Sequence, residues 1–259
     1  MKENNNLIPQ RFILRPTAFN SLLIKYTHKI WESGVIRAEE RAEYYRRLIE
    51  TLLPESQEEN SLLDIASRDC SLTLRFSQRF HKTCAIDVAF APIVHQSKIK
   101  ERIDLIQADA ERLPFDDKSF DVVTAISIIE HVKNPQLMLK ELIRVLKPGG
   151  NLVIQLPNRF FPVEPHCGLL FIYYVPAGLR KFILTCIGYE DYLNYVPGIP
   201  SRSEVLNYIG ASANLFVSKT IVLPEDIIPA GLRPLYRLSV KLGLLNLIPE
   251  SWLLVFKAN

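Results

Sequence analysis

Leu62-Leu63-Asp64-Ile65-Ala66-Ser67-Arg68-Asp69-Cys70 is the stretch whose reading decides the fold. Two leucines lead into an acidic residue and one more apolar residue, and a cluster of small and polar residues follows. The pattern predicts a buried strand, a tight turn at its end, and a helix over Leu72 to Phe80. In an open α/β sheet, ligands sit outside the carboxyl ends of the strands, so such a turn faces a binding crevice. The amides at the helix start are expected to favour an anionic ligand group.

Two further acidic strand ends follow at regular spacing. Thr83 to Asp87 closes on an aspartate 23 positions after Asp64, and Arg102 to Asp109 closes the same way 22 positions later. An acidic residue about 20 positions beyond a first turn suits a ribose, because one carboxylate accepts both hydroxyl protons. A single aspartate at a strand end equally caps a turn. Three in register shift the reading towards a ligand rim.

Downstream, Phe120 to Ile126 is a nearly continuous apolar run, as expected of a strand buried on both faces. Asn134 and Pro135 form a helix start, a cap followed by a first-turn proline. Leu139, Leu142, Ile143 and Leu146 make the apolar stripe, and Lys147-Pro148-Gly149-Gly150 is expected to stop it. Asn151 to Leu156 is the next buried strand. Five strands alternating with helices argue a parallel sheet wound on both faces.

From Pro157 to Pro200 the pattern changes to prolines and aromatic residues, too long for a plain connection and suggestive of an inserted lid with one or two helices. Ser201-Arg202-Ser203-Glu204 is a capping-box start for a helix through Ala211. Leu215 to Leu223 and Trp252 to Phe256 read as strands. Residues 7 to 53 read as helical, with Leu22, Leu23, Tyr26 and Ile30, then Ala42, Tyr45, Leu48, Ile49 and Leu52, on repeating faces.

Bulk properties exclude several function classes. The net charge of +3 is too small to argue for nucleic acid, and no basic run is interleaved with aromatics. Cys70, Cys84, Cys167 and Cys186 show no metal-ligand spacing, which argues against zinc and for a reduced, cytoplasmic setting. Met1 to Asn6 lacks an apolar signal core. The run Cys167 to Leu179 is shorter than the roughly 20 residues a bilayer span needs, so no stable membrane insertion is expected.

The ordered series D-x-x at Asp64, I-D-V at Ile86 to Val88, A-D-A-x-x-L-P-F at Ala108 to Phe115, F-D-V-V at Phe120, E-H-V at Glu130 to Val132 and L-K-P-G-G at Leu146 to Gly150 resembles the class I S-adenosylmethionine-dependent methyltransferases, in the branch of the ubiquinone and menaquinone biosynthesis enzymes. The resemblance covers roughly residues 61 to 160. It implies a Rossmann-like, seven-stranded, mostly parallel doubly wound sheet. It also implies an N-terminal helical cap (1–57), a core (58–259) with a lid at about 157–200, and a tail ending in an antiparallel edge strand. The implied cofactor is S-adenosyl-L-methionine. Asp64, Ala66 and Ser67 would hold its methionine end, Asp87 its ribose and Val88 its adenine. Asp109 and the Ala110 amide would bind the adenine edge, with Ile126 and Ser127 passing under the methionine part.

The family turn D-x-G-x-G-x-G is replaced here, with Ala66, Arg68 and Cys70 at the glycine positions. Two readings stand: a rebuilt loop in which Arg68 pairs with the cofactor carboxylate, or a site that has lost its cofactor. His131 and His166 are the candidate general bases, since histidine titrates near neutral pH; each equally suits a structural hydrogen bond. The apolar lid points to a small lipophilic or aromatic acceptor, no nucleic acid, and leaves a homodimer open. The competing functions are a binding protein without catalysis and a non-methylating reaction such as cyclisation.

Overall fold

In a computed structural model, the chain is described at residues 43, 45–47, 60–91, 99, 101–161, 164, 169, 171–189, 192–221, 233–243 and 249–259. Most of the cap expected over 1–57, and His166, lie outside the described residues. Glu43 and Tyr45 to Arg47 are helical.

The described residues form one seven-stranded sheet in the order β3-β2-β1-β4-β5-β7-β6. In chain order the strands are β1 (Ser61–Ile65), β2 (Lys82–Asp87), β3 (Asp104–Gln107), β4 (Phe120–Ala125), β5 (Leu146–Pro157), β6 (Ala213–Ile221) and β7 (Ser251–Ala258). The helices are α1 (Ser71–Phe76), α2 (Pro135–Val145), α3 (Ala177–Cys186), α4 (Tyr192–Tyr195), α5 (Arg202–Ile209) and α6 (Arg233–Lys241). The first five strands pair parallel, and β7 runs antiparallel to both its neighbours. The antiparallel strand is therefore not the edge: β7 fits between β5 and β6, and β6 closes the sheet. Trp252 to Val255 pair on both sides, which a mostly buried apolar strand permits and an exposed edge would not favour.

Alternation along the strands assigns the two faces. Leu63 and Ile65 join Val123, Ala125, Leu152 and Ile154 beneath Met138, Leu139 and Leu142 of α2, all but fully buried. Burying one such side chain contributes about 1.5–3 kcal/mol. Leu62, Val122, Val153 and Val255 point the other way, onto Phe76, Phe80 and Tyr45. Tyr45 thus covers one face of the sheet. Asp64 and Thr124 share the parity of Leu62 and Val122, and so face α1.

The helix starts obey their local chemistry. Asn134 Oδ1 accepts from the Leu137 amide at 3.0 Å, with Pro135 in the first turn. Ser201 and Glu204 complete a reciprocal capping box, and hydrogen bonds from Ser201 outweigh burial and hold the Glu204 carboxyl below its usual range. The Lys147–Gly150 stretch ends α2 at Val145 yet continues in β5, bulging between the pairs Phe120↔Leu146 and Val122↔Asn151. Gly150 is required there: an added Cβ would lie 2.8 Å from the Asp121 carbonyl.

Candidate active site

The parallel registers bring the carboxyl ends of β3, β2, β1 and β4 to one rim. Asp87 pairs with Gln107, Ile65 with Ile86, and Ile65 with Ala125. The chain winds in opposite directions from β1 and β4, so this rim is the topological switch point of the sheet, where open α/β folds bind ligands.

The first turn is stitched to the neighbouring strand by backbone bonds. The Ser67 amide donates to the Ile86 carbonyl at 3.0 Å, and the Ala91 amide to the Arg68 carbonyl at 2.8 Å. The Asp87 carboxylate completes the seam, accepting from the Arg68 amide at 2.9 Å and the Ala89 amide at 2.8 Å. Ala66 sits at φ +61° and Cys70 at φ +56°, left-handed conformations at two of the three positions where the family has glycine. The turn keeps a glycine-like backbone without glycine, at a steric cost of roughly 1–2 kcal/mol per residue. Ser127, just past β4, is also left-handed, at φ +55°, and its hydroxyl donates to Gln155 Oε1 at 2.6 Å.

Asp64 does not face the crevice. Its side chain is buried under the turn, where Thr124 Oγ1 donates to Oδ1 at 2.6 Å and Thr73 Oγ1 donates to Oδ2. Burial raises its carboxyl above the usual range, against the pull of these hydroxyl bonds. The reason is strand parity: position 64 points to the α1 side, so its carboxylate braces the turn from below. The start of α1 has one of its amides engaged. That helix has six residues, and Asp69 Oδ1 already accepts from the Ser71 amide at 3.0 Å.

Of the remaining rim residues, Val88, Asp109 and Arg68 are exposed. Val88 is 63% exposed at the end of β2, and Gln107 Nε2 holds its carbonyl at 2.8 Å. Asp109 is exposed, with Oδ1 accepting from the Glu111 amide at 2.9 Å. Ala110 is buried behind it, and Ile126 is half-buried. Arg68 is exposed.

His131 closes the other side. Its Nδ1 lies 2.9 Å from the Tyr195 carbonyl, and its ring stands 4.3 Å from the Tyr195 ring. A carbonyl only accepts, so Nδ1 carries the proton and Nε2 is the basic nitrogen, 3.8 Å from Glu130 Oε1. Burial pushes the Tyr195 hydroxyl's pKa up, so it resists ionisation; the Glu130 carboxylate adds to this and Arg68 opposes it. The segment after β4 and α4 therefore meet where His131 touches Tyr195. Arg159 pairs with Glu204 at 3.4 Å and lies over the Phe160 ring.

Sequence reasoning missed Thr73, Thr124, Gln155 and Tyr195. Thr124 and Gln155 had a signal, each being a polar residue inside an otherwise apolar strand. Tyr195 had none, one aromatic among many.

A mostly parallel doubly wound sheet with its switch point at this rim, an acidic residue ending β2 and an apolar neighbour is the arrangement that the resemblance to class I methyltransferases implies. Residues 63–154 match the family model described as "Methyltransferase domain". The chain is 38% identical over 139 residues to a demethylmenaquinone methyltransferase of Clavibacter sepedonicus, covering 51% of this chain and 57% of that one. It is 37% identical over 102 residues to the ubiquinone/menaquinone biosynthesis C-methyltransferase UbiE of Idiomarina loihiensis, covering 36% and 41%. The chain thus spans about half the length of these curated relatives. Among solved structures, a geranyl diphosphate C-methyltransferase from Streptomyces coelicolor A3(2), in complex with Mg2+, geranyl-S-thiolodiphosphate and S-adenosyl-L-homocysteine, matches in fold. Its TM-score is 0.56 at 13% identity, over 84% of this chain and 76% of that one. No helix among the described residues is long and apolar enough to cross a membrane.

Proposed function

We propose that the protein transfers a methyl group from S-adenosyl-L-methionine to a small lipophilic acceptor. The observation that carries this reading is the Asp87 carboxylate, which ties the first turn to the end of β2 while standing half-buried at the rim. The residues fit the cofactor. The left-handed turn at Ala66 supplies the backbone shape that glycine supplies elsewhere in the family, and exposed Val88 and Asp109 flank Asp87.

The bound cofactor would supply an electrophilic methyl on a sulfonium. Asp87 accepts the ribose hydroxyls, Val88 covers the adenine, and Asp109 with the Ala110 amide reads its edge. Arg68 pairs with the methionine carboxylate, a fork-shaped donor meeting a planar acceptor. Ala66, Ser67, Ile126 and Ser127 border the methionine part, and Asp64 acts from beneath by fixing the turn. His131 Nε2 removes a proton from an acceptor that must lose one, with Nδ1 anchored on Tyr195. His166 is the second candidate for that role. Holding the acceptor in line with the methyl group supplies most of the remaining rate.

The menaquinone relative and the apolar segment 157–200 support a lipophilic acceptor. The same segment, with α3, α4 and a cluster of its own around Tyr192 and Leu184, supports reading it as a lid. The glycine-free turn favours the competing reading, a binding protein without catalysis. Titration calorimetry with S-adenosylhomocysteine separates the two: saturable binding is expected, and none at millimolar ligand removes the enzymatic reading.

A further inference from the structure

Two helices expose apolar stripes that the described fold leaves bare. α3 buries Leu184, with Ile183 alongside, against Ile172, Ile187 and Tyr192. On its opposite side Leu179, Phe182 and Cys186 recur at i, i+3 and i+7 and face solvent, Phe182 being 64% exposed. Phe171 and Tyr174, an edge-to-face pair just before the helix, are half exposed as well. A helix packed on a domain needs one apolar face, so the second has another purpose.

α6 repeats the pattern. Leu235, Leu238 and Leu242 lie on one side, each at least half exposed, and no residue of the helix is buried. Arg233, Arg237 and Lys241 recur every four residues on the adjoining side. On α3 the exposed cation is Lys181, while Arg180 lies over the Tyr173 ring. Residues 167–189 and 227–249 contain none of the chain's 28 acidic residues.

We propose that α3 and α6 attach the protein to an anionic lipid bilayer, each lying in the headgroup layer with its apolar stripe in the acyl boundary. Solvent-facing leucine and phenylalanine at helical spacing, flanked by cations and free of acids, is the composition of an interfacial helix. Charge complementarity selects this occupant. Two copies of a cationic face repel each other, and a polyanion without an apolar phase leaves the leucines wet. The consequence for catalysis rests on the function proposed above. α3 shares its cluster with Tyr192 and Val196, beside the Tyr195 that holds His131. A lipophilic acceptor leaving the bilayer would meet the segment that borders the site.

The test is sedimentation of the full chain with vesicles of phosphatidylcholine and phosphatidylglycerol, without cofactor, so that its result is independent of cofactor binding. Wild type is expected to pellet with mixed vesicles and weakly with phosphatidylcholine alone. Leu179→Glu with Phe182→Glu, and separately Leu235→Glu with Leu238→Glu, should each lower partitioning at least tenfold while circular dichroism stays unchanged. Removing Lys181 and Lys241 should lower it roughly fivefold per cation. Mixed vesicles should also slow alkylation of Cys186, mapped by peptide mass. Wild type that stays in the supernatant, pellets equally with neutral lipid, or binds as well when the stripes carry glutamate overturns the proposal. So does a soluble dimer that the Phe182→Glu variant splits without any vesicle binding.

Discussion

The carboxylate of Asp87 reaches back 19 residues to accept the amide of Arg68, so one side chain sets both the ligand rim and the turn beside it. Replacing Asp87 by alanine removes the proposed acceptor for the ribose and frees the Arg68 and Ala89 amides. The loss of charge-assisted hydrogen bonds, each about 1.5–3 kcal/mol, should weaken S-adenosylhomocysteine binding about 10- to 100-fold or more by calorimetry. Unchanged affinity would place the cofactor elsewhere.

Ala66 and Cys70 both hold left-handed backbone, and their environments predict opposite responses to glycine. Ala66 is half-buried with little side chain to lose. Ala66→Gly should relieve about 1–2 kcal/mol of strain against about 0.4–1 kcal/mol of added chain entropy, a small net gain in urea unfolding. Cys70 is buried against Ala85, Ile99 and Ile103, so Cys70→Gly should destabilise through lost packing. A destabilised Ala66→Gly variant would show that the turn carries no such strain.

These positions mark where the sequence was legible and where it was not. The strand end at Asp87, the Asn134 cap and the Ser201 capping box depend on neighbours within a few residues, and the structure places them as the pattern indicates, whereas β3 stops at Gln107, short of Asp109. Asp64 turned inward because its partners, Thr73 and Thr124, lie 9 and 60 positions away, a pairing no local pattern contains. The inner place of β7 depends on pairing across more than 90 residues with β5. The left-handed turn was hidden because alanine and cysteine advertise no such conformation; only tertiary contacts impose it.

Burial pushes the Cys70 thiol up to about 12 and the Cys84 thiol up to about 11, burial being the main cause and nearby carboxylates adding to it. Both should therefore stay protonated and unreactive at pH 8, whereas exposed Cys186 should alkylate readily. Mass mapping after brief iodoacetamide treatment checks this. Early modification of Cys70 would mean that the first turn opens easily.

His131 anchors Tyr195 through Nδ1, and the function proposed above gives its Nε2 the separate role of base. Asparagine keeps a donor near the Nδ1 position and has no basic nitrogen. His131→Asn should therefore preserve stability and cofactor affinity while lowering turnover about 10²- to 10⁴-fold on an acceptor that must lose a proton. His131→Ala should lose both the rate and the anchor. Equal turnover in His131→Asn and wild type would assign the residue to anchoring alone.

Asp64 offers the sharpest check on the buried brace. Alanine there leaves the Thr73 and Thr124 hydroxyls without their acceptor, which should cost about 2–5 kcal/mol. Asparagine accepts one hydroxyl proton through Oδ1 and donates to the other oxygen, and should stay within about 1 kcal/mol of wild type. The pH dependence has a definite sign. Burial raises the folded carboxyl above its unfolded value of about 3.9. The group's favourable contribution is thus complete below about pH 3.9 and is lost as pH rises through the folded value. Asparagine does not titrate, so Asp64→Asn should gain stability relative to wild type between pH 4 and pH 8. Other carboxylates shift the opposite way, Asp121 among them: burial acts against the shift, but Lys147 and Ser61 overcome it and hold that carboxyl low. Their effect is common to both proteins and cancels in the difference. Urea unfolding of the pair at several pH values measures it directly, and a flat difference would mean that Asp64 is charged and fully compensated by its two hydroxyls.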